Sequence, residues 1–476
     1  MADNIKKDAE MKHAPNKQWD VHLLTCKISF FFTYAMVGSY MPFFNVFLIS
    51  IGLTTTQAGL ITGLRTITSV IFGPLCGALV DYTGRLKLIF VFLCLGSLTL
   101  LFPLPWIARD VCPLTFAGTG NNSSIITDRN NTSVNCNEHL FYTSLSILMM
   151  SAIFDTSLLG YLDWLVMYVV STSKKNETFG HQRMFGSLGF GVGNLLSGLV
   201  SDHYKIDGFS SYTAMFFVFL PCVLLLIPSG VFMISRGKWP HAKLTQKRDS
   251  AIFKEVIKTC STFPNLIFLL TVLVAGLANG VYYGFLFVIM EHSMHASKTI
   301  MGLTIVVSSI AEIAAFPFTS SLISTLGGPI PCIIIGVFSY FVRFLAISYI
   351  GNPWFVLLLQ CLHALCFALF WAATLQHTFQ ISSCNIKTTM FSIVNSLHFS
   401  LGTLISNMAG GVLYEKYGGK IFFRDSSILF GTWSLVMICY YFCQKYYWHR
   451  KPDKNSLLCG GINSNVIKYH SIGDKE

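Results

Sequence analysis

Long apolar runs separated by short polar stretches are the main pattern along this chain of 476 residues. A helix needs about 20 mostly apolar residues to cross a bilayer. Twelve runs of that size lie near residues 23–50, 57–80, 86–107, 140–170, 184–202, 211–234, 264–290, 300–325, 329–350, 353–377, 388–412 and 425–444. The pattern predicts an all-α membrane protein with twelve transmembrane helices.

A basic stretch at residues 235–263 follows the sixth run and divides the twelve into two sets. Two six-helix halves joined by a linker are typical of parallel-repeat transporters, which hold their substrate between the halves. The predicted organisation is therefore a tail at 1–22, a bundle at 23–234, a linker at 235–263, a bundle at 264–444 and a tail at 445–476.

The distribution of Lys and Arg predicts the orientation of the chain in the membrane. The amino-terminal tail, the linker and the carboxy-terminal tail carry most of these cations, and cytoplasmic segments are enriched in them. Both tails are therefore predicted to be cytoplasmic. We expect an integral multi-pass protein of the plasma membrane or an endomembrane, and the sequence does not decide between the two.

The segment 108–139 is then an outer loop, and its composition fits that location. It contains four N-x-S/T acceptors, which are glycosylated only in lumenal or extracellular loops; they are Asn121, Asn122, Asn130 and Asn131. Cys112 and Cys136 flank this cluster, and we expect either a disulfide, which an oxidising compartment permits, or two free thiols. Asn176 also heads a sequon but lies on the cytoplasmic side, and we expect it to be unmodified.

Composition supports the membrane class and excludes others. Hydrophobic residues make up 53% of the chain and charged residues only 12%, about half of the roughly 25% that soluble domains carry. The net charge of +11 comes from cations in short blocks between apolar runs, so no nucleic-acid surface is predicted. No Cys or His spacing suits a metal, and no nucleophile–base constellation or phosphate loop is visible. We therefore expect no metal, no cofactor and no enzymatic activity.

The turn after the second run follows the pattern G-x-x-x-D-x-x-G-R, with Gly77, Asp81, Gly84 and Arg85 at the specified positions. Gly77 permits close helix approach, Gly84 a tight turn, and Arg85 remains on the cytoplasmic face. This turn resembles the signature of the major facilitator superfamily between its second and third helices. The alternative is an ordinary Gly-rich cytoplasmic turn.

The resemblance extends along the chain to the lactose-permease-like branch of that superfamily. The opening helices, with Gly38-Ser39-Tyr40-Met41-Pro42-Phe43-Phe44, and the segment 183–186 look like those of lactose permease. The run 182–189 and the outer loop are most similar to the animal group called major facilitator superfamily domain-containing protein 6. This resemblance implies secondary active or facilitative transport of a small polar organic solute by alternating access, with the protein as a monomer in the bilayer.

The same resemblance implies roles for individual residues. Arg183 matches a substrate-binding arginine with Asp163 as its partner, and Arg343 and His363 match the arginine and histidine of a proton-coupling cluster. The glutamate one turn after that histidine would fall at Cys366, which cannot carry the proton. Proton symport is therefore an open alternative to facilitative transport, with Glu312 a candidate to replace the missing carboxylate.

Charge inside the apolar runs points to the same residues independently. A charged side chain near the bilayer centre costs at least about 2.5–3.5 kcal/mol, so it normally faces a partner or water. The candidates within the runs are Arg65, Asp155, Asp163, Glu312, Arg343 and the titratable His363. We expect ion pairs of Asp163 with Arg183 and of Arg343 with Glu312. Asp155 lies about 80° from Asp163 around the helix, so we expect both to border one cavity.

Three weaker patterns complete the candidates. Gly186, Gly189, Gly193 and Gly198 have near-helical spacing, which favours close helix packing. His398 is expected to be a packing histidine with satisfied hydrogen bonds. Phe370 and Trp371 are candidates for stacking on a ring-shaped substrate, with core packing as the alternative.

The competing function is a receptor or scaffold that keeps the transporter fold but does not transport. The absence of a carboxylate at Cys366 and the outer loop favour it. The retention of intramembrane charges favours transport, because a scaffold has no need for such costly groups.

Overall fold

The computed structural model describes residues 21–112, 129–173, 179–204, 206–237, 239, 250–383 and 386–447. Every regular element in these ranges is helical. The helices are α1 (Val21–Ser50), α2 (Thr55–Thr83), α3 (Leu86–Val111), α4 (Arg129–Thr172), α5 (Phe179–His203), α6 (Ser211–Arg236), α7 (Ser250–Cys260), α8 (Phe263–Met294), α9 (Lys298–Thr325), α10 (Pro329–Tyr349), α11 (Pro353–Ile381), α12 (387–417) and α13 (Gly419–Tyr447).

The twelve predicted apolar runs fall on α1–α6 and α8–α13. Within the described ranges, ten of these helices are long and apolar enough to cross a membrane, and α2 and α12 are the two that are not among them. The short α7 lies inside the predicted linker at 235–263. The apolar pattern therefore gave the correct fold class, all-α with many membrane helices.

The predicted outer loop at 108–139 is shorter than expected. α3 continues to Val111, and α4 begins at Arg129, so both ends of the predicted loop are helical. Asn130 and Asn131 therefore lie in the first turn of α4, whereas Asn121 and Asn122 fall outside the described residues. Cys112 and Cys136 form a disulfide, with their Cα atoms 5.5 Å apart.

Packing divides the chain into two compact units whose boundaries differ from the two predicted halves. The first unit comprises 1–53, 71–244 and 297–309, and the second comprises 54–70, 245–296 and 310–476. The beginning of α2 thus belongs to the second unit, and the beginning of α9 belongs to the first. Hydropathy could not indicate that the beginnings of α2 and α9 pack in these units, because it reports the environment of a helix and not its neighbours.

In the first unit, α1 and α5 pack with their backbones in contact. Gly189 faces the carbonyl group of Phe31 and Gly193 faces that of Ala35, and a Cβ atom at either glycine would overlap these backbone atoms. Small residues allow such close approach between membrane helices. The predicted close packing of the glycine series in α5 is confirmed at these positions.

The beginning of α9 is attached to the end of α5 in the same unit. The Asp202 carboxylate accepts hydrogen bonds from the backbone N–H groups of Lys298 at 3.1 Å and Thr299 at 2.7 Å. A carboxylate in this position satisfies N–H groups that have no partner within the helix. This contact explains why the start of α9 packs with the first unit.

In the second unit, the beginning of α2 packs against α12. Gly59 faces the backbone of Asn407, and the Thr56 N–H donates to Glu415 Oε2 at 2.8 Å. Hydrogen bonds from Thr56 lower the pKa of the Glu415 carboxyl, which lies beyond the predicted membrane run 388–412. Deeper in this unit, Gly276 of α8 meets the backbone of His398 in α12.

Two membrane helices of the second unit contain segments that are not α-helical. α11 has a 3₁₀ turn at Gln360–Leu362 followed by a π-helical segment at Ala364–Leu369, and α12 has a π-helical segment at Ser396–Gly402. Such segments are rare and are frequent at functional sites. They were not predicted from the sequence.

The glycine contact between α1 and α5 can be tested by overpacking. Gly189→Leu places a side chain where the Phe31 backbone stands, and overpacking typically costs about 1–3 kcal/mol. We expect Tm in detergent to fall by about 2–12 °C, at roughly 2–4 °C per kcal/mol. Gly160→Leu in α4 is the control, because a Cβ there meets no atom within 4 Å. Equal Tm values for the two variants would contradict the contact.

Candidate functional site

An ion pair links α4 and α5 in the first unit. Arg183 Nη1 lies 3.3 Å from Asp163 Oδ2 and 3.5 Å from Oδ1. The guanidinium carbon of Arg183 also lies 5.5 Å from the centre of the Tyr34 ring on α1, within cation–π distance. The pair predicted from the sequence is therefore formed, and Tyr34 is a further contact that the sequence reasoning missed.

This ion pair is only half-buried. The exposed fractions of the side chains are 41% for Arg183 and 33% for Asp163. Because neither side chain is fully enclosed, each retains surface that another polar group can contact. A partly exposed charge pair on membrane helices is a candidate solute or proton site.

Asp155 has a different environment from Asp163, although both lie on α4. Its carboxylate accepts a hydrogen bond from Tyr40 at 3.0 Å and another from Ser97, and its side chain is 1% exposed. The expectation that the two aspartates border one cavity is not met, because Asp155 is enclosed among α1, α3 and α4. Its contacts hold these three helices together.

In the second unit, Arg343 of α10 lies at the centre of a buried polar cluster. Its Nη2 donates to Gln360 Oε1, its Nη1 donates to His363 Nδ1 at 3.3 Å, and its guanidinium carbon lies 4.1 Å from the centre of the Tyr282 ring. The Cys366 thiol also hydrogen-bonds to Arg343. Since arginine can only donate, Nδ1 of His363 must accept, and the imidazole carries its proton on Nε2.

Gln360 is the main polar partner in this cluster. Its Oε1 also accepts a hydrogen bond from the Tyr282 hydroxyl at 3.0 Å, and its Nε2 donates to the Val356 carbonyl at 3.0 Å. Both Gln360 and Arg343 have no exposed surface. Gln360 was not among the predicted site residues, because it is uncharged; the available signal was a polar amide inside an apolar run.

The predicted ion pair between Arg343 and Glu312 is wrong. The partners of Arg343 are Gln360, His363, Tyr282 and Cys366, none of which is a carboxylate. Glu312 is half-buried on α9 and interacts electrostatically with Tyr283, as Arg343 also does. The amide of Gln360 takes the place beside Arg343 that a carboxylate was expected to occupy.

His398 packs as predicted. It is fully buried among the rings of Phe370, Trp371 and Phe399. Its imidazole also interacts with the Val272 backbone.

The remaining predicted residues lie on α2 and in the turn between α2 and α3. Arg65 is half-buried on the part of α2 that belongs to the second unit. At the signature turn, α2 ends at Thr83, Gly84 has a φ of 61°, and Arg85 is exposed before α3 begins. The side chain of Asp81 and the surroundings of Gly77 lie outside the described part of the structure. No group of three potential metal ligands occurs among the described residues.

The long apolar helices, ten of which in the described ranges could cross a bilayer, define an integral multi-pass membrane protein. The chain belongs to the MFS_1 like family, which matches residues 23–425. Members of this class are transporters and not enzymes.

Curated relatives agree with this assignment. The chain is 24% identical over 402 residues to the uncharacterized transporter YwbF of Bacillus subtilis (strain 168), covering 84% of this chain and 88% of the relative. It is 22% identical over 284 residues to major facilitator superfamily domain-containing protein 6-like protein B of Xenopus laevis, covering 60% of this chain. That match spans only 44% of the frog protein's length.

Solved structures show the same fold at low sequence identity. The nucleoside transporter NupG aligns with a TM-score of 0.64 and 15% identity over 90% of this chain and 99% of its own. The xylose transporter XylE of E. coli, in its inward-open conformation, aligns with a TM-score of 0.59 and 14% identity, over 88% of this chain and 95% of its own. These matches show that the chain shares the fold of these transporters.

The Arg343 cluster can be tested by comparing two substitutions. Gln360→Leu leaves the buried guanidinium short of an acceptor, and we expect it to cost about 1–3 kcal/mol of stability. Arg343→Met removes the buried charge itself and should cost less, because an apolar replacement of similar size avoids desolvation. Thermal unfolding of both variants and of the double variant measures the coupling. If the stability lost in the double variant equalled the sum of the losses in the two single variants, the proposed dependence of Arg343 on Gln360 would be refuted.

Proposed function

We propose that this transporter carries a small polar organic solute across the membrane by alternating access. Asp163 and Arg183 in one unit, and Arg343 and His363 in the other, are its candidate substrate-binding or coupling groups. The observation that carries the proposal is the half-exposed Asp163–Arg183 ion pair within membrane helices. A pair of purely structural value would gain little from being accessible, because exposed ion pairs contribute only about 0–1 kcal/mol.

Proton symport is the form of transport that we propose for this site. A carboxylate paired with arginine holds its negative charge, and it takes up a proton more readily when the arginine moves away. Asp163 is placed for this exchange because it can leave Arg183 without leaving a fully buried charge behind. Glu312, half-buried near Tyr283, is the second candidate carboxylate. Facilitative transport is the competing form. It is favoured by Cys366, which stands where the resemblance to lactose permease would place a proton-carrying glutamate.

The coupling proposal predicts a separation of two activities in Asp163→Asn. Uptake driven by an imposed pH gradient into proteoliposomes should be lost, whereas exchange of solute at equal pH should continue, because exchange needs no net proton transfer. Glu312→Gln is tested in the same way. Asp425→Asn is the matched control, since it removes a carboxylate from the exposed Arg424–Asp425 pair at 3.3 Å. Full gradient-driven uptake by both Asp163→Asn and Glu312→Gln would exclude proton coupling through these carboxylates.

We also propose that both termini are cytoplasmic and that residues 108–139 form an outer, glycosylated segment. The Lys and Arg distribution and the sequons at Asn121, Asn122, Asn130 and Asn131 support this orientation. The Cys112–Cys136 disulfide at the same end of these helices fits an oxidising compartment.

The orientation is tested by glycosidase treatment of protein made in animal cells. The chain should gain mobility on removal of N-linked glycans, and replacing the four asparagines with glutamine should abolish that shift. Asn176→Gln is the control, because its sequon lies between α4 and α5 on the predicted cytoplasmic side and should not affect the shift. If Asn176→Gln alone abolished the mobility shift, the orientation of the chain would be opposite to the proposed one.

A further inference from the structure

Three side-chain rings on α11 are parallel and follow one another at intervals of four residues. The His363 and Phe367 rings are inclined by 7° with centroids 5.4 Å apart, and the Phe367 and Trp371 rings by 1° with centroids 6.5 Å apart. Stacked aromatic pairs have centroids about 4.5–7 Å apart. The rings are therefore stacked on one another, and no further ring fits between them.

The π-helical segment Ala364–Leu369 runs through this stack. Side chains four residues apart on an α-helix share a face but are turned relative to each other, and the extra residue of a π turn changes that angle. Phe367 lies in the segment, while His363 and Trp371 lie on either side of it. The irregular backbone and the parallel rings thus occupy the same part of α11.

A second π-helical segment supplies a ring at a steep angle to this stack. Phe399, in the segment Ser396–Gly402, is inclined by 67° to Phe367 and by 68° to Trp371, with centroids 6.2 Å and 4.9 Å away. All three of these rings are partly exposed, whereas His363 is buried. Phe367, Trp371 and Phe399 therefore form an open corner, which we call the aromatic corner.

The surroundings of the aromatic corner are more polar than a lipid-facing surface. Asn395 is exposed one turn before Phe399 on the same face of α12, and Ser392 is exposed one turn before Asn395. α12 is also not among the ten described helices that are apolar enough to cross a membrane alone. Because polar groups are disfavoured against lipid and usually face the interior or water, the corner suits a solute better than an acyl chain.

A buried histidine lies directly beside this surface. The His398 ring is 5.1 Å from that of Trp371 and 4.6 Å from that of Phe399, and it has no exposed surface. A polar side chain in contact with two rings of the corner also distinguishes this surface from one that faces lipid.

We propose that the aromatic corner is the solute subsite and that the transported solute carries a planar aromatic or heteroaromatic ring. The ring lies face-on to one of the three side chains and edge-on to another, and its polar substituents bind Asn395. This inference rests on the proposed transport function and narrows its solute class. A saturated ring is puckered, so it cannot make the same contact.

The test uses three pairs of solutes that differ only in ring planarity. They are uridine with 5,6-dihydrouridine, benzamide with cyclohexanecarboxamide, and phenylalanine with cyclohexylalanine. Binding to the purified full chain is measured by the rise in Tm that each solute causes, and transport by uptake into proteoliposomes. At least one planar solute should bind and be taken up, with its saturated partner at least tenfold weaker.

Variants locate the binding at the corner. Trp371→Leu and Phe399→Leu should each raise the half-saturating concentration of the planar solute by roughly tenfold, the effect of losing one stacked ring, while Trp371→Phe should restore most of the affinity. Trp354→Leu is the matched control, because Trp354 is exposed at the start of the same helix and outside the corner. Phe399→Leu gives an independent result if Trp371→Leu does not fold.

The outcomes separate this inference from the proposed function. Uptake of a solute without a planar ring, with no binding of any planar member, would leave transport intact and overturn the aromatic corner. Binding of a planar solute that depends on Trp371, without any uptake, would support the subsite and overturn the transport proposal. Equal affinities for the members of every pair, or unchanged affinity in both leucine variants, would also overturn the inference.

Discussion

The absence of water inside the membrane is the constraint on which the rest of this structure depends. A polar group there must find its partner within the protein, and a partner on a neighbouring helix fixes the two helices to each other. Asp155 connects α1, α3 and α4 through Tyr40 and Ser97, and Arg343 connects α8, α10 and α11 through Tyr282 and Gln360. Asp163 and Arg183 are less constrained, because both side chains are only partly buried. The enclosed groups connect the helices, and the half-buried pair is the one that we propose for transport.

The helices were predictable because hydropathy along a chain directly reports a lipid environment. Each apolar run fell on a helix, whereas the packing of those helices depends on which surfaces fit together. Asp202 capping α9, and Gly59 against the backbone of Asn407, assign the ends of two helices to units that no hydropathy pattern indicates. The helical start of α4 was missed for a related reason, since its polar residues resemble a loop when only hydropathy is considered.

At the candidate site, charge complementarity predicted the Asp163–Arg183 contact but failed for Arg343. The failure has a physical cause: an amide oxygen can accept from a guanidinium as a carboxylate does, and it avoids burying a second charge. A search for opposite charges therefore cannot find Gln360. The ring stack could have been predicted from the sequence, because His363, Phe367 and Trp371 recur every four residues. The π-helical backbone between them has no such sequence signal.

The π-helical segment in α11 also changes how positions in this helix correspond to those in other proteins. A π turn contains one residue more than an α turn, so the chain beyond Leu369 is rotated by roughly 100° relative to an uninterrupted helix of the same length. Deleting one residue there would preserve the helix yet turn a different row of side chains towards its neighbours. Cys366 lies inside this segment. An ungapped alignment through it can therefore match residue for residue while pairing side chains that point in different directions.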